Sequence, residues 1–331
     1  MTQKYVRENK TKSLMKPRRK IFDLLKFYLI PGWRDPEFSD IEYEIGKTQS
    51  KRKVFRRLLT PLTVVGSIMI IFIIFCGVFA PLLTPYTVEE LTNPLKSGAN
   101  PFAPPSAEHP LGTTDNGYDI LGRLIWGCRT AVSFGLTPII IGSVGGVVVG
   151  TISAYFGGRT DAIIMRLADL VIVFPAVVLL ILFARMVGEN LLLMLSFFGL
   201  LSIPIYARLM RSSVLQVKQS LFIDAAITGG AKYFKIMVKH LIPNAISPII
   251  INFFGGVGTA ILGLTSISFL GFGDRSLPDW GADINFARVQ FSNYFAAFWP
   301  GLFILIAVMG FMLVGDGLRD ALDPKNRRKQ L

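Results

Sequence analysis

Catalysis in a chain of 331 residues needs reactive side chains that can act together, and few are placed to do so here. Histidine occurs only at His109 and His240, and cysteine only at Cys76 and Cys128. The cysteines lie in or at the edge of apolar blocks, so neither a disulfide framework nor a metal site is expected. Gly229-Gly230-Ala231-Lys232 is glycine-rich but lacks the GxxxxGK[ST] spacing that wraps phosphate. No Ser/His/Asp arrangement is evident. The residues therefore predict no enzyme, no catalytic residue, no metal and no cofactor bound by this chain. Two groupings remain. Arg166 and Asp169 stand three apart at the edge of an apolar block, a spacing that predicts a helical ion pair at the membrane edge. The stretch Leu221 to Lys235 carries a helix start near Asp224 and a glycine stop at Gly229-Gly230, which predicts an amphipathic surface helix.

The elements that must hold these groups are set by hydropathy. The chain is 51% hydrophobic, and the apolar residues come in long uncharged blocks. Pro61–Leu83, Ala131–Gly158, about Ile163–Ala184, Asn190–Ala207, a part of Leu241–Gly273 and a part of Phe291–Gly315 each approach the roughly 20 residues that cross a bilayer. The expected fold is an all-α integral membrane protein with six transmembrane helices. The net charge of +13 does not point to nucleic acid, because 16 of the 35 basic residues precede residue 58, beside the first block. They suit a surface facing anionic lipid. With the N-terminus inside, 29 Lys and Arg fall on the cytosolic side and 6 outside, so both termini are expected in the cytosol of a multi-pass cell-membrane protein. The first apolar block starts too late for a cleavable signal peptide. Three regions follow. Residues 1–57 form a basic cytosolic extension, with an interfacial helix expected near Ile21 to Ile30. Residues 58–325 form the membrane domain, with an external loop at 84–130 and a cytosolic loop at 209–245. Residues 326–331 form a basic cytosolic tail. Gly142, Gly146 and Gly150, four apart, predict a closely packed helix neighbour, in this chain or in a partner subunit.

Three separated segments resemble one family. Asp224-Ala225-Ala226, Gly230 and His240-Leu241-Ile242-Pro243 are similar to the EAA signature of ABC importer permeases, with Asp224, His240 and Ile242 in place of the usual Glu, Ile and Leu. His109-Pro110-Leu111-Gly112-Thr113, Asp115, Gly117, Asp119 and Arg123 resemble the external motif of the oligopeptide/dipeptide/nickel permeases, with Thr114, Tyr118 and Gly122 departing from it. Ser268-Phe269-Leu270-Gly271, Trp280-Gly281, Pro300-Gly301 and Gly315 to Pro324 resemble the same family. The resemblance covers residues 58 to 325 and is greatest to the second permease chain of peptide importers.

It implies a type I ABC importer permease fold and one half of a transmembrane pathway for dipeptides or oligopeptides. It further implies a heterodimer with a homologous permease, two ATP-binding subunits that use ATP and magnesium, and an extracellular substrate-binding protein. Asp224, Ala225, Ala226, Gly230, His240 and Pro243 would then form a coupling helix docked on the ATPase. His109 to Arg123 form an external turn expected to be structural. Nickel or oligosaccharide permeases are the alternative, and an ion-driven secondary transporter is disfavoured because the middles of all six blocks are uncharged.

Overall fold

The computed structural model describes residues 60–93, 100–188, 190–288 and 295–322. All lie in the compact unit Arg57–Leu331. The basic extension 1–57, its expected interfacial helix and the tail 326–331 fall outside the described residues. Among the described residues the structure is helical, with one isolated β-bridge between Thr113 and Asp119.

Helix α1, Pro61–Val78, starts where the Thr60 hydroxyl accepts the Thr63 N–H, with proline at the position where its missing N–H costs nothing. Helix α2, Ile120–Phe156, starts on Asp119, whose carboxylate accepts the Gly122 N–H at 2.6 Å. It begins eleven residues before the expected second span, so residues 120–130 belong to a helix rather than to the external loop. Its 37 residues extend about 55 Å, well past a hydrocarbon core of about 30 Å.

The expected third span is two helices. Helices α3, Gly158–Val173, and α4, Ala176–Val187, meet at a bend of 79°. Pro175 causes the break, because a residue preceding proline avoids the helical region and Phe174 is extended, with ψ 132°. Among the described residues, five single helices are long and apolar enough to cross a membrane, and counting the bent pair as one gives six. Helix α5, Leu191–Lys218, carries its span eleven residues beyond Ala207, into the segment expected as loop. Helix α6, Leu221–Thr228, is the short surface helix. Helical segments at Tyr233–Lys235, Ile236–Leu241 and Ile242–Ala245 lead into α7, Ser247–Ile267, which ends in a wide turn at Ser268–Phe272. Helix α8, Trp280–Ala287, is short, and α9, Phe295–Leu322, is the last span.

The core sits where α2 meets α5 and α7, and where α9 meets α1 and α7. In lipid, apolar side chains gain little by leaving the hydrocarbon, so close backbone approach must hold helices together. The Gly142–Gly146–Gly150 stripe does this within the chain. A Cβ on Gly142 would lie 2.6 Å from Ser202 Cβ, and one on Gly146 would lie 2.8 Å from the Ala207 amide nitrogen. The neighbour predicted by the glycine spacing is therefore α5.

Candidate functional site

The structure separates the sequence motifs onto the two ends of the bundle. At the basic end, α6 leaves α5 after Gln219 and lies against the segment Ile236–Leu241. Its fastening is the fully buried Ile223, joined in the core by Ile236, Met237 and Leu241. Its end is a Schellman turn: Gly230 N–H donates to Ile227 O at 3.0 Å and Ala231 N–H to Ala226 O at 3.1 Å. The turn requires Gly230 at φ +75°, a conformation that L side chains rarely adopt. Asp224 and Ala225 are exposed, while Ala226 is half-buried and its carbonyl is used by the turn. Leu221 is 85% exposed, and Phe222, Ile227, Tyr233 and Phe234 also stand out of the fold. His240 is half-buried and its carbonyl accepts from Asn244; Pro243 is exposed. The two halves of the motif, Asp224–Gly230 and His240–Pro243, thus flank one apolar anchor.

Above this helix, α5 clamps its neighbours. Lys218 Nζ donates to Tyr155 O at 2.7 Å and Ala154 O at 3.2 Å, satisfying carbonyls at the end of α2. Arg211 grips Asp161 of α3 with two hydrogen bonds of 2.5 Å, and Ser153 of α2 donates to the same carboxylate. The expected Arg166–Asp169 pair is not formed. Asp169 is bound by Arg208 of α5 instead, because α5 packs alongside α3 and brings a second guanidinium to the same carboxylate. Neither Arg208–Asp169 nor Arg211–Asp161 was legible as a pair, since 39 and 50 residues separate the partners.

The other end is closed by the segment His109–Arg123. Asp119 Oδ1 lies 3.0 Å from His109 Nδ1, and the Tyr86 ring stacks on the imidazole at 5.9 Å. Gly112 and Gly117 take positive φ in tight turns, Leu111 packs on the core, and Asp115 accepts from the Asn116 side chain. Pro110 is at the surface. Arg123, only 3% exposed, donates Nε to Asp283 Oδ1 at 2.5 Å and a second N–H to Leu91 O, with its guanidinium 5.1 Å from the centre of the Tyr118 ring. Asp283 comes from α8, 160 residues away in sequence, and was missed. Beside it, Trp280 lies against Gly127 of α2 and donates Nε1–H to Leu124 O at 3.2 Å. These groups bond to one another within the chain, so the segment pins α8 onto α2.

Between the two ends, α7 differs from its neighbours. The exposed middle positions of α1, α2 and α9 are aliphatic, aromatic or methionine. On α7, Asn252, Thr259 and Ser266 are exposed as well as Ile250 and Leu262. The three polar residues are seven apart, and so lie on one face. That spacing was the signal available in the sequence. Thr259 donates to Gly255 O at 3.1 Å, Ser266 to Leu262 O at 2.6 Å and Asn252 to Pro248 O at 2.9 Å. With these donors satisfied inside the helix, mainly acceptor lone pairs face outward.

Residues 146–328 match the family described as binding-protein-dependent transport system inner membrane component, and residues 52–105 match the N-terminal TM domain of oligopeptide transport permease C. The dipeptide transport system permease protein DppC of Alkalihalophilus pseudofirmus is 38% identical, covering 83% of this chain and 90% of the relative. The glutathione transport system permease protein GsiD of Pectobacterium atrosepticum is 34% identical over 83% and 91%. The probable D,D-dipeptide transport system permease protein DdpC of Escherichia coli K12 is 32% identical over 82% and 90%. The chain belongs to the binding-protein-dependent transport system inner membrane components, as an all-helical, multi-pass permease of the membrane.

Proposed function

We propose that this chain is one half of the membrane pathway of an ATP-driven importer for short peptides. The observation that carries the reading is α6 together with the segment Tyr233–Lys235 that follows it. Five large apolar or aromatic side chains, Leu221, Phe222, Ile227, Tyr233 and Phe234, stand out beyond the ends of the spans, where no lipid tail would cover them. An exposed helix of this kind suits a groove on a soluble partner. The chain has no phosphate-wrapping loop, so the partner supplies the ATP hydrolysis. Ile223 fixes α6 to the segment that begins α7, which gives a push from the partner a direct route into the spans.

The positive-inside rule supports a cytosolic position for the basic end, with Lys232, Lys235, Lys239 and Arg319, and an external one for the His109–Arg123 end. A homologous permease completes the pathway, two ATP-binding subunits dock from the cytosol, and a binding protein delivers solute from outside. The α7 face of Asn252, Thr259 and Ser266 lines the route, because hydrogen-bonding groups on an exposed span surface suit water better than lipid. Its outward acceptors suit the ammonium group and amide N–H groups of a peptide. The names of the relatives, which concern dipeptides, glutathione and D,D-dipeptides, support that solute class.

The test uses the reconstituted complex carrying Ala225→Trp or Gly230→Val. Ala225 is exposed on α6, so tryptophan leaves the fold intact and blocks docking. A Cβ at Gly230 meets nothing within 4 Å, so valine acts only through the strained φ, at about 1–2 kcal/mol. Both variants should insert normally and lose peptide-stimulated ATP hydrolysis and uptake. Normal coupled uptake in both would show that α6 is a solvated connector.

A further inference from the structure

The end of the bundle opposite α6 holds an imbalance of buried charge. Asp279 and Asp283 are 3% and 4% exposed, and Arg123 at 3% is the one buried guanidinium beside them among the described residues. Arg123 is committed to Asp283, Leu91 O and the Tyr118 ring. Asp279 caps α8 with one oxygen, Oδ1, which accepts the Gly281 N–H at 2.9 Å. Its other oxygen, Oδ2, is buried and makes no well-formed hydrogen bond, although the Ser268 hydroxyl stands beside it. A bare carboxylate oxygen in that position is costly, and a carboxylic acid costs less because it carries no charge.

The elements packed around it supply no second cation among the described buried residues. The turn at the end of α7 contributes the Ser268 hydroxyl, α8 contributes the like-charged Asp283, and the external loop contributes Asp115, a further negative charge acting on Asp283. The connecting loop carries Asp274, already accepting from Ser276, and Arg275. Helix α9 presents the Phe303 ring to Trp280 and has no ionisable side chain before Asp316.

We infer that Asp279 is a proton-binding site: a proton taken from water onto Oδ2 seats α8 against α2 and α7, and its return to water loosens α8. Burial pushes this carboxyl from 3.8 up to about 6, against the lowering influence of Ser268, the Gly281 N–H and Arg123. The stabilisation is therefore fully present below the ordinary carboxyl value and is lost as pH rises through about 6. Helix α8 is the element that would respond. Trp280 and Gly281 fit against Gly127 and the Thr265 carbonyl, and the end of α7 is already a non-helical turn at Gly271. The compartment sampled rests on the orientation proposed above, while the titration itself does not.

The test is thermal unfolding of the full chain in lipid nanodiscs from pH 5 to pH 7.5, for wild type, Asp279→Asn and Asp283→Asn. The expected result is a wild-type midpoint that falls by several degrees across the range and a flat profile for Asp279→Asn, which mimics the protonated acid. Asp283→Asn removes the neighbouring negative charge and leaves Arg123 to Asp279, so its transition should move to lower pH. The infrared carbonyl band of a buried carboxylic acid, present in wild type near pH 5 and absent in Asp279→Asn, provides a readout that does not depend on how well the variants withstand heat. Equal pH dependence of the midpoint in wild type and Asp279→Asn, or no carboxylic acid band assignable to this position, would overturn the inference.

Discussion

At the scale of single residues, the motifs sort by whether their partners are near in sequence. Gly230 was legible because a helix ending on glycine demands local backbone geometry, and the positive φ is found there. Asp119 was legible as part of a motif but not as the cap of α2, and its contact with His109 spans only ten residues. Arg166–Asp169 was misread because spacing alone cannot weigh a competing cation on another helix, and Arg208 takes the carboxylate. That pair is about half exposed on both sides and contributes little. Arg123–Asp283 is the opposite case, at 4% exposure on each side chain. Removing one partner of a buried pair strands the other charge, which typically costs about 3–5 kcal/mol. Arg123→Met should therefore reduce the yield and thermal midpoint of the purified chain severely. Adding Asp283→Leu should recover most of the loss, as read by a double-mutant cycle of unfolding midpoints. A double variant no better than Arg123→Met would place the loss elsewhere, in the bonds to Leu91 or Tyr118.

At the scale of elements, hydropathy located the spans but not their ends or their continuity. Uncharged runs stop at the first Arg or Asp, whereas helices continue as long as caps and packing favour them. Residues 120–130 contain Arg123 and Arg129 and are still helical, because Asp119 caps them and Asp283 neutralises Arg123. The break at Pro175 had a visible cause in sequence, the proline itself, but its 79° angle depends on contacts that no local rule supplies. The glycine stripe of α2 was read correctly as a packing surface, and only the structure identifies α5 as its partner. Gly142→Ala should force α2 and α5 apart, since the new Cβ would sit 2.6 Å from Ser202 Cβ. Size-exclusion profiles of the detergent-solubilised protein should show aggregation for Gly142→Ala. Ser202→Gly in the same chain removes the offending atom and should restore a monodisperse peak. Aggregation unchanged in the double variant would mean that the backbone contacts around Gly199, not Ser202 Cβ, set the limit.

At the scale of the whole molecule, the asymmetry of basic residues gives an orientation that the two ends of the bundle can test. Ser106, at the His109 end, and Thr228, on α6, are both exposed. The native Cys76 and Cys128 are buried and should react slowly with a membrane-impermeant maleimide. Ser106→Cys should be labelled on intact cells, and Thr228→Cys only after the membrane is opened; the reverse pattern would invert the topology. The length of α2 has a further consequence. One continuous helix of 37 residues touches α8 near its start and is gripped by Lys218 near its finish. With its seam against α5 as fulcrum, it has the geometry of a lever about 55 Å long. A tilt of about 10° about its centre would sweep each tip about 5 Å in opposite directions. Motion at one membrane face would then be mirrored at the other without any chain of intermediaries, and Pro138, which removes a rung near the midpoint, marks where such a lever would flex first.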